Sequence, residues 1–424
     1  MTQLSQCQTE ALAAMVKWAE NDNQPVFILS GAAGTGKSYL LAEFLKRLEE
    51  IEELSKDLRI PTRISTDRIT LTATTNNALS VMPYFYDEPR TVYSAFNIRL
   101  STDRRTGQAV LDFHKARPLY WHSDDRFSLV VIDEASMIDE ETLNYAIRRT
   151  EKVLLICDMA QLTPVGLENP VFAKRNYPMY DMKENQRSKT TPELIKLLDQ
   201  YRECILNNKP CYLLNSPAIT KLSGIDFTNL FFDKINNGEQ ARYLANDNAA
   251  AIKCNNYVSQ KLSGTTGFKV GDVGVVHNKP HESSLTAMEE LTVVSETEIE
   301  IPNMVGIFTG QTLFLSGKSG RHEFFVPHDI ALATKKLKEL QALQVDPTHY
   351  EPKENEVIYQ MSEWLDLRKI FGLTIRRSQG QSYDNVFLDV NTLKNLKRNP
   401  MQLTRLLYVA LSRSRGHVYL TGDL

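Results

Sequence analysis

Lys37 and Ser38 close a glycine-rich run, GAAGTGKS, that begins at Gly31. Apolar Val26 to Leu29 precede it, and Leu41, Phe44, Leu45 and Leu48 follow at helical spacing. Strand, G-x-x-x-x-G-K-[ST] loop and helix in that order form a cradle for phosphate. Gly31, Gly34 and Gly36, with Thr35 between the last two, let the backbone curl so that its N–H groups point at phosphate oxygens. The helix N-terminus adds positive partial charge, Lys37 neutralises β- and γ-phosphates, and the Ser38 hydroxyl suits Mg²⁺. The expected ligand is a nucleoside triphosphate with its metal.

Further along, the buried strand in SLVVIDEASMI ends in Asp133-Glu134. An acidic pair there does two jobs in triphosphate hydrolysis: Asp133 holds Mg²⁺ through water, and Glu134 orients and deprotonates the attacking water. The next strand, KVLLICD, runs into Gln161, placed to sense the γ-phosphate. Upstream of the loop, Gln8 sits in L-x-x-x-Q-x-x-A, and its amide offers the donor and acceptor that match adenine N6 and N7. Alone, a glutamine or a strand-end Asp-Glu is ordinary; their order around a phosphate loop argues for chemistry.

The elements that must hold these residues follow an α/β rhythm. A chain of 424 residues exceeds a single core and implies two or more domains. A formal net charge of −3 excludes a basic coat, so a nucleic-acid surface would be a local groove. Five scattered cysteines without C-x-x-C fit a reducing compartment and no zinc or disulfide framework. The opening MTQLSQCQTE has no signal-like segment and no apolar run approaches about 18 residues, so a cytoplasmic enzyme is expected. A first helix spans Leu4 to Glu20 with Ser5 as N-cap. RITLTATTNNAL puts Thr72 and Thr74 at a strand's carboxyl end, where ligands of open α/β sheets gather, and TVYSAF brings Ser94 and Phe96 to the next such edge. Two short strands around Gly107 form a projecting hairpin within 97–125.

The second half repeats the rhythm. NQRS places Arg187 in a loop. Short β segments from about 263 to 330 suit a small SH3-like or OB-like barrel. The α/β pattern returns at IFGLTIRRSQGQSYDNVFLDV and ends with Arg413 after an apolar helix. One triphosphate needs one α/β domain. A second, carrying Arg187 and Arg413, is explained if the halves face each other and the arginines clamp the γ-phosphoryl from the far side. Each turnover then becomes a relative domain movement.

Taken together, these stretches resemble the superfamily-1 subclass B DNA helicases, closest to their Dda-like branch and more distantly RecD-like, over nearly the whole chain. Gln8 matches the Q motif, GAAGTGKS motif I, TATTNNAL motif Ia, TVYSAF motif Ib and VIDEAS motif II. CDMAQLTPV matches motif III, NQRS motif IV, LTIRRSQGQS motif V and LLYVALSRSR motif VI. The resemblance implies an α/β P-loop NTPase fold with two RecA-like domains of parallel strands. The first comprises 1–96 and 126–180, with a pin hairpin at 97–125. The second comprises 181–262 and 363–424, with an SH3-like insertion at 263–362. It implies ATP and Mg²⁺ as cofactors and an ATP-dependent 5′→3′ movement on single-stranded DNA that unwinds duplexes. It gives Gln8, Gly36, Lys37, Ser38, Asp133, Glu134, Gln161, Arg187 and Arg413 to the ATP site, and Thr72, Thr74, Ser94, Phe96, Thr374 and Arg376 to the DNA track. Phe96 would be the stacking aromatic at the base of the pin, and Trp364 is a further stacking candidate. Partners would be single-stranded DNA and duplex junctions, with a single-strand-binding protein as a further candidate, no membrane, and a monomeric chain. A viral origin, host-cytoplasmic location and a role in DNA replication or recombination are its wider implications.

Three positions depart from the family pattern: Tyr93 for His in motif Ib, Cys157 for Gly in motif III, and Arg376-Arg377 for His-Lys in motif V. These touch coupling and grip, not the hydrolytic residues. A P-loop kinase leaves residues 184–424 without a role. A non-catalytic DNA-binding module would have lost Lys37, Glu134 or Arg413, and all three are present. A nucleic-acid-stimulated ATPase that acts on RNA or remodels protein–DNA complexes fits the same residues, because phosphate and stacking contacts tolerate either sugar.

Overall fold

The computed structural model describes residues 4–21, 23–79, 82–102, 109–113, 126–164, 166–184, 186, 191–278, 283–285, 288–303, 306–343 and 364–424. Helix α1 (Gln6–Asn21) begins after Ser5, whose Oγ accepts from Gln8 N at 3.3 Å while Gln8 Oε1 accepts from Ser5 N at 3.0 Å. This reciprocal capping box satisfies two donors at the helix start. Strand β1 (Val26–Gly31) follows, buried at every position, and leads through the glycine-rich loop into α2 (Lys37–Leu58). The charged stretch 49–57 continues α2. Glu52 on it is buried and accepts from the Thr66 backbone N–H at 3.1 Å and from the Thr66 hydroxyl.

The first lobe continues through β2 (Ile69–Ala73), α3 (Asn76–Leu79), β3 (Arg90–Thr91), α4 (Val92–Ala95), the ribbon β4 (Arg99–Thr102) and β5 (Ala109–Asp112), then β6 (Phe127–Asp133), α5 (Glu140–Arg149), β7 (Thr150–Cys157) and β8 (Met179–Met182). Six of these strands form one parallel sheet in the order β3-β2-β6-β7-β1-β8. A strand covered by helices on both faces reads as a continuous apolar run, which is why VFIL and LVVI were legible. One face packs on Trp18, Leu41, Phe44 and Leu45, the other on Leu143 and Ala146. The β4–β5 ribbon is antiparallel, Arg99 opposite Asp112; its tip, 103–108, and the stretch 114–125 of the expected hairpin lie outside the described residues.

The second lobe holds α6 (Pro192–Leu206), β9 (Ile219–Lys221), α7 (Gly224–Asn236), β10 (Ala241–Ala245) and α8 (Asn248–Ser263). Strands β11 (Val273–Asn278), β12 (Glu290–Asn303), β13 (Gly306–Gly317) and β14 (Gly320–Pro327) interrupt it, followed by α9 (Ile330–Leu343) and β15 (Asp366–Lys369). It resumes with β16 (Gly372–Thr374), β17 (Tyr383–Asp389), α10 (Pro400–Ser412) and β18 (Ser414–Thr421). Its sheet is parallel, in the order β16-β10-β17-β18-β9. The fold is thus α/β with two RecA-like parallel sheets, as the sequence implied.

The interrupting strands form a separate antiparallel sheet, β14-β13-β12-β11-β15, with its own core of Val276, Leu291, Leu313 and Leu315. Asp366–Lys369 pairs with β11, so this segment, expected in the second α/β domain, belongs to the insertion. Trp364 goes with it. It is half-buried and lies 6.3 Å from Phe308, ring to ring.

Candidate nucleotide cleft between the two parallel sheets

The loop between β1 and α2 is shaped by backbone that only glycine adopts freely: Gly34 and Gly36 have φ of 92° and 86°. Gly36 is also the N-cap of α2 and brings no side-chain cap, so the N-terminus of a 22-residue helix faces the loop. At Gly31 a Cβ would lie 2.7 Å from Thr35 Oγ1, which donates to Ala32 O at 3.0 Å; these two residues brace the loop from behind. Lys37 Nζ donates to Gly31 O at 2.8 Å and Ala32 O at 3.1 Å, which holds the ammonium over the loop mouth. Gln8 is buried beside it, its Nε2 3.5 Å from Thr35 O and 2.6 Å from where a Cβ on Gly36 would stand.

Asp133 and Glu134 stand at the carboxyl tip of β6. Asp133 Oδ1 accepts the Glu134 N–H at 2.8 Å, and Glu134 sits in the left-handed region at φ 51°, a conformation costly for a non-glycine residue. Thr74 holds this turn: its N–H donates to Asp133 O at 3.1 Å and its hydroxyl to Glu134 O at 2.8 Å. Burial and the neighbouring Asp133 charge push the Glu134 carboxyl up to about 7, against the pull of Arg413 and Lys37. Burial also raises Asp133.

Ala33, Gly34, Gly36, Lys37, Ser38, Tyr39, Asp133, Glu134 and Gln161 of the first lobe line one cleft, and Gly380 and Arg413 of the second lobe line it from the other side. Arg413 is only 2% exposed. Its guanidinium is oriented by Val409 O (3.1 Å), Gln381 O (3.1 Å), Ser378 O (3.4 Å) and Ser412 Oγ (2.8 Å). Arg187 lies outside the described residues; Gln186 itself reaches the loop, its N–H donating to Gly34 O at 2.8 Å.

The residues expected on a DNA track divide. Ser94 is exposed at the short helix α4, and Arg376 is half-buried, its guanidinium without a hydrogen bond or ion pair among the described residues. Thr72 is fully buried and donates to Val131 O at 2.8 Å, so its hydroxyl is spent inside the sheet. Thr374 is buried at the end of β16, where its Oγ1 lies 3.4 Å from Arg377 N. Phe96 is not a surface ring. It is 0% exposed and packs edge-on against Phe127 and Tyr145, with centroids 5.9 and 5.5 Å away. It therefore cannot stack on a base without leaving the core. Arg377, the second arginine of the motif V stretch, donates to His277 O at 3.2 Å and ties β16 to the inserted sheet.

Sequence reasoning missed the residues that join the lobes. Arg405 Nη1 donates to Met159 O and Gln161 O at 2.8 and 2.7 Å. Tyr408 Oη donates to Asp158 Oδ2 at 2.5 Å, and Arg202 reaches Asp158, Asp181 and Ser30. Asn77 Nδ2 donates to Arg377 O and Gln379 O at 2.7 and 3.0 Å. The sequence signal among them is Arg405, the one charged side chain on α10.

Among the described residues no helix is long and apolar enough to cross a membrane. Residues 3–203 match the family model described as an AAA domain, and residues 369–421 match the UvrD-like helicase C-terminal domain. Uncharacterized protein MJ1519 of Methanocaldococcus jannaschii is 26% identical over 179 residues, 40% of this chain; the chain spans 13% of that relative's length. Among solved structures, a Bacteroides Pif1 helicase in complex with ADP-AlF3 and single-stranded DNA superposes with a TM-score of 0.54 at 15% identity, covering 100% of this chain and 94% of that one. A structure described as DNA unwinding at forked duplex by two coordinating Pif1 helicases gives 0.52 at 15% identity, with coverage of 100% and 93%. The fold is therefore that of these two-lobed P-loop proteins.

Proposed function

We propose that this chain is an ATP-dependent DNA helicase of superfamily 1, subclass B, with Dda-like affinity. In this reading it moves 5′→3′ on single-stranded DNA and opens duplex junctions as a monomer in a cytoplasmic setting. The observation that carries the reading is the shared cleft: Lys37 and Glu134 on one lobe, Arg413 on the other. Hydrolysis at such a seam is coupled to relative movement of the lobes, which binding alone would not require. The matched helicase C-terminal model over 369–421 and the fold shared with Pif1 structures solved with single-stranded DNA support it.

Within the cleft, Lys37 and the uncapped N–H groups of α2 hold the β- and γ-phosphates, and Gln8 flanks the base. Ser38 and Asp133 present two hard oxygen donors, the set that suits Mg²⁺ when phosphate oxygens and water complete the shell. The ion would supply charge neutralisation on those phosphates. Glu134 takes the proton of the attacking water, Gln161 senses the γ-phosphate, and Arg413, with Arg187 as its proposed companion, stabilises charge on the transferring group. Residues 97–125 serve as the pin and the inserted antiparallel sheet as the SH3-like insertion. Ser94 and Arg376 contact the strand's backbone.

Strand displacement on 5′-tailed, 3′-tailed and blunt duplexes, in DNA and in RNA, tests the proposal. ATP-dependent opening of 5′-tailed DNA alone is the expected result, and a 3′-tail preference overturns the subclass. One observation favours a second reading, an ATPase that remodels protein–DNA complexes: burial of Phe96 removes the aromatic expected at the point of strand separation. That reading predicts DNA-stimulated hydrolysis with displacement of bound protein and no strand opening.

A further inference from the structure

The turn after β7, Asp158 to Leu162, belongs to the first lobe by chain, yet it is gripped from the second. Asp158 Oδ1 accepts Ala160 N at 3.0 Å, and Gln161 N donates to Asp158 O at 3.0 Å, so the turn is tight in itself. Arg405, on α10 and 2% exposed, places one nitrogen between the carbonyls of Met159 and Gln161; its Nη2 donates to Asn169 Oδ1 at 3.1 Å. Gln379 Nε2 approaches the Gln161 side chain itself, 3.4 Å from Oε1. A guanidinium is the side chain suited to this place: its planar fork reaches several acceptors at once, and it stays charged when buried. Burial lowers Arg405 to about 10, and Asp158 and Glu168 oppose that fall.

We propose that Arg405 is a positioning residue that makes the Asp158–Leu162 turn move with the second lobe, so that the reach of the Gln161 amide into the cleft is set by the place of α10. The inference rests on the hydrolytic reading given above and deepens it. A strand held by both lobes would then act on the γ-phosphate contact through Arg405, without touching the nucleotide. Arg405 itself lies outside the residues that line the cleft.

Two measurements on the full chain test this. Hydrogen exchange of peptides covering 158–163, with no substrate added, reads the grip directly. Arg405→Lys, which cannot hold both carbonyls and Asn169, should raise exchange there about tenfold and leave peptides within 403–411 at the wild-type rate. ATP turnover with and without oligo-dT reads the coupling. The variant should lose about tenfold in DNA-stimulated kcat with KM for ATP changed less than about threefold, and the loss should not add to that of Gln161→Ala. Wild-type exchange in the variant, or additive losses, overturns the proposal. A wild-type chain that hydrolyses no ATP overturns the hydrolytic reading instead, and exchange still decides the grip. Should Arg405→Lys fail to fold, Asn169→Ala, which removes only the Nη2 acceptor, is judged by the same exchange criterion.

Discussion

Tyr408 donates its hydroxyl to Asp158 Oδ2 at 2.5 Å, so the last helix of the second lobe is bonded to the end of a strand in the first. Both side chains are buried, and Arg202 Nε approaches the other carboxylate oxygen at 3.4 Å. Burial and the Asp158 charge hold the phenol well above its ordinary value, so it remains a neutral donor. Tyr408→Phe leaves a buried carboxylate short of one donor and should cost about 1–3 kcal/mol. Urea unfolding with an unchanged m-value measures it; a loss under about 0.5 kcal/mol would mean that the contact is not kept in solution.

Phe96 gives an equally direct test. Its ring fills the space between Phe127 and Tyr145, and truncation of such a ring costs about 3–5 kcal/mol through lost burial and a residual cavity. Phe96→Ala is expected to lower Tm and reduce ATPase and unwinding together, whereas Phe96→Leu restores most of both. A stably folded Phe96→Ala protein defective only in unwinding would return the ring to the DNA.

The difference between those two residues shows what the sequence could carry. The phosphate loop is eight consecutive residues whose spacing is itself the structure, and Asp133-Glu134 is marked by the buried run before it. Phe96 sits two positions after exposed Ser94 on a four-residue helix, too short for periodicity to assign inside and outside. The contacts of Arg405, Tyr408 and Arg202 cross from one lobe to the other, and Arg405 meets Gln161 across 244 positions of chain. Helical spacing explains each as a residue packed on its own lobe, and nothing local announces a partner so distant. Thr72 differs from the expectation for a related reason: the carboxyl end of a strand gathers ligands, but both faces of this sheet are covered there, and the Thr72 hydroxyl is buried and bonded to Val131 O.

Arg413 faces the cleft only because four groups of its own lobe hold it there. Arg413→Ala should lower ATP turnover by about 10³-fold or more, with nucleotide affinity changed little, since a γ-phosphoryl clamp acts mainly in the transition state. Arg413→Lys separates charge from geometry and should recover less than a tenth of the loss. Single-turnover hydrolysis beside equilibrium binding of a fluorescent ATP analogue checks both, and an equal loss of binding and turnover would remove the arginine from the catalytic step.

Glu134 sets a pH dependence. Its carboxyl is raised from 4.5 to about 7 by burial and by Asp133, and the hydrolytic role needs the carboxylate. Hence kcat/KM for ATP should rise with pH through about 7 and level off above it. The same shift acts on folding with a defined sign. Between 4.5 and about 7 the native chain holds more protons than the unfolded chain, so this group's contribution is full below 4.5 and is lost as pH rises through 7. Glu134→Gln removes the buried charge and should raise Tm relative to wild type above pH 7, with the difference shrinking on acidification. A difference that grows on acidification would contradict the assignment.

Arg376 and Arg377 are neighbours in sequence with opposite circumstances. Arg376 is half-buried with its charge uncompensated among the described residues, and burial lowers its pKa with no opposing partner. Arg377 spends its guanidinium on His277 O and Met288 Sδ. A half-buried guanidinium with no partner among the described residues is suited to a phosphate oxygen. Arg376→Ala should therefore weaken single-stranded DNA binding alike for every sequence and reduce the slope of log K against log[salt] by about one. Arg377→Ala should leave that slope intact and instead loosen the junction between β16 and the inserted sheet, seen as faster exchange at 273–278. Fluorescence anisotropy titrations of oligo-dT from low to moderate salt distinguish the two, and equal slope changes in both variants would show that the pair acts as one phosphate site.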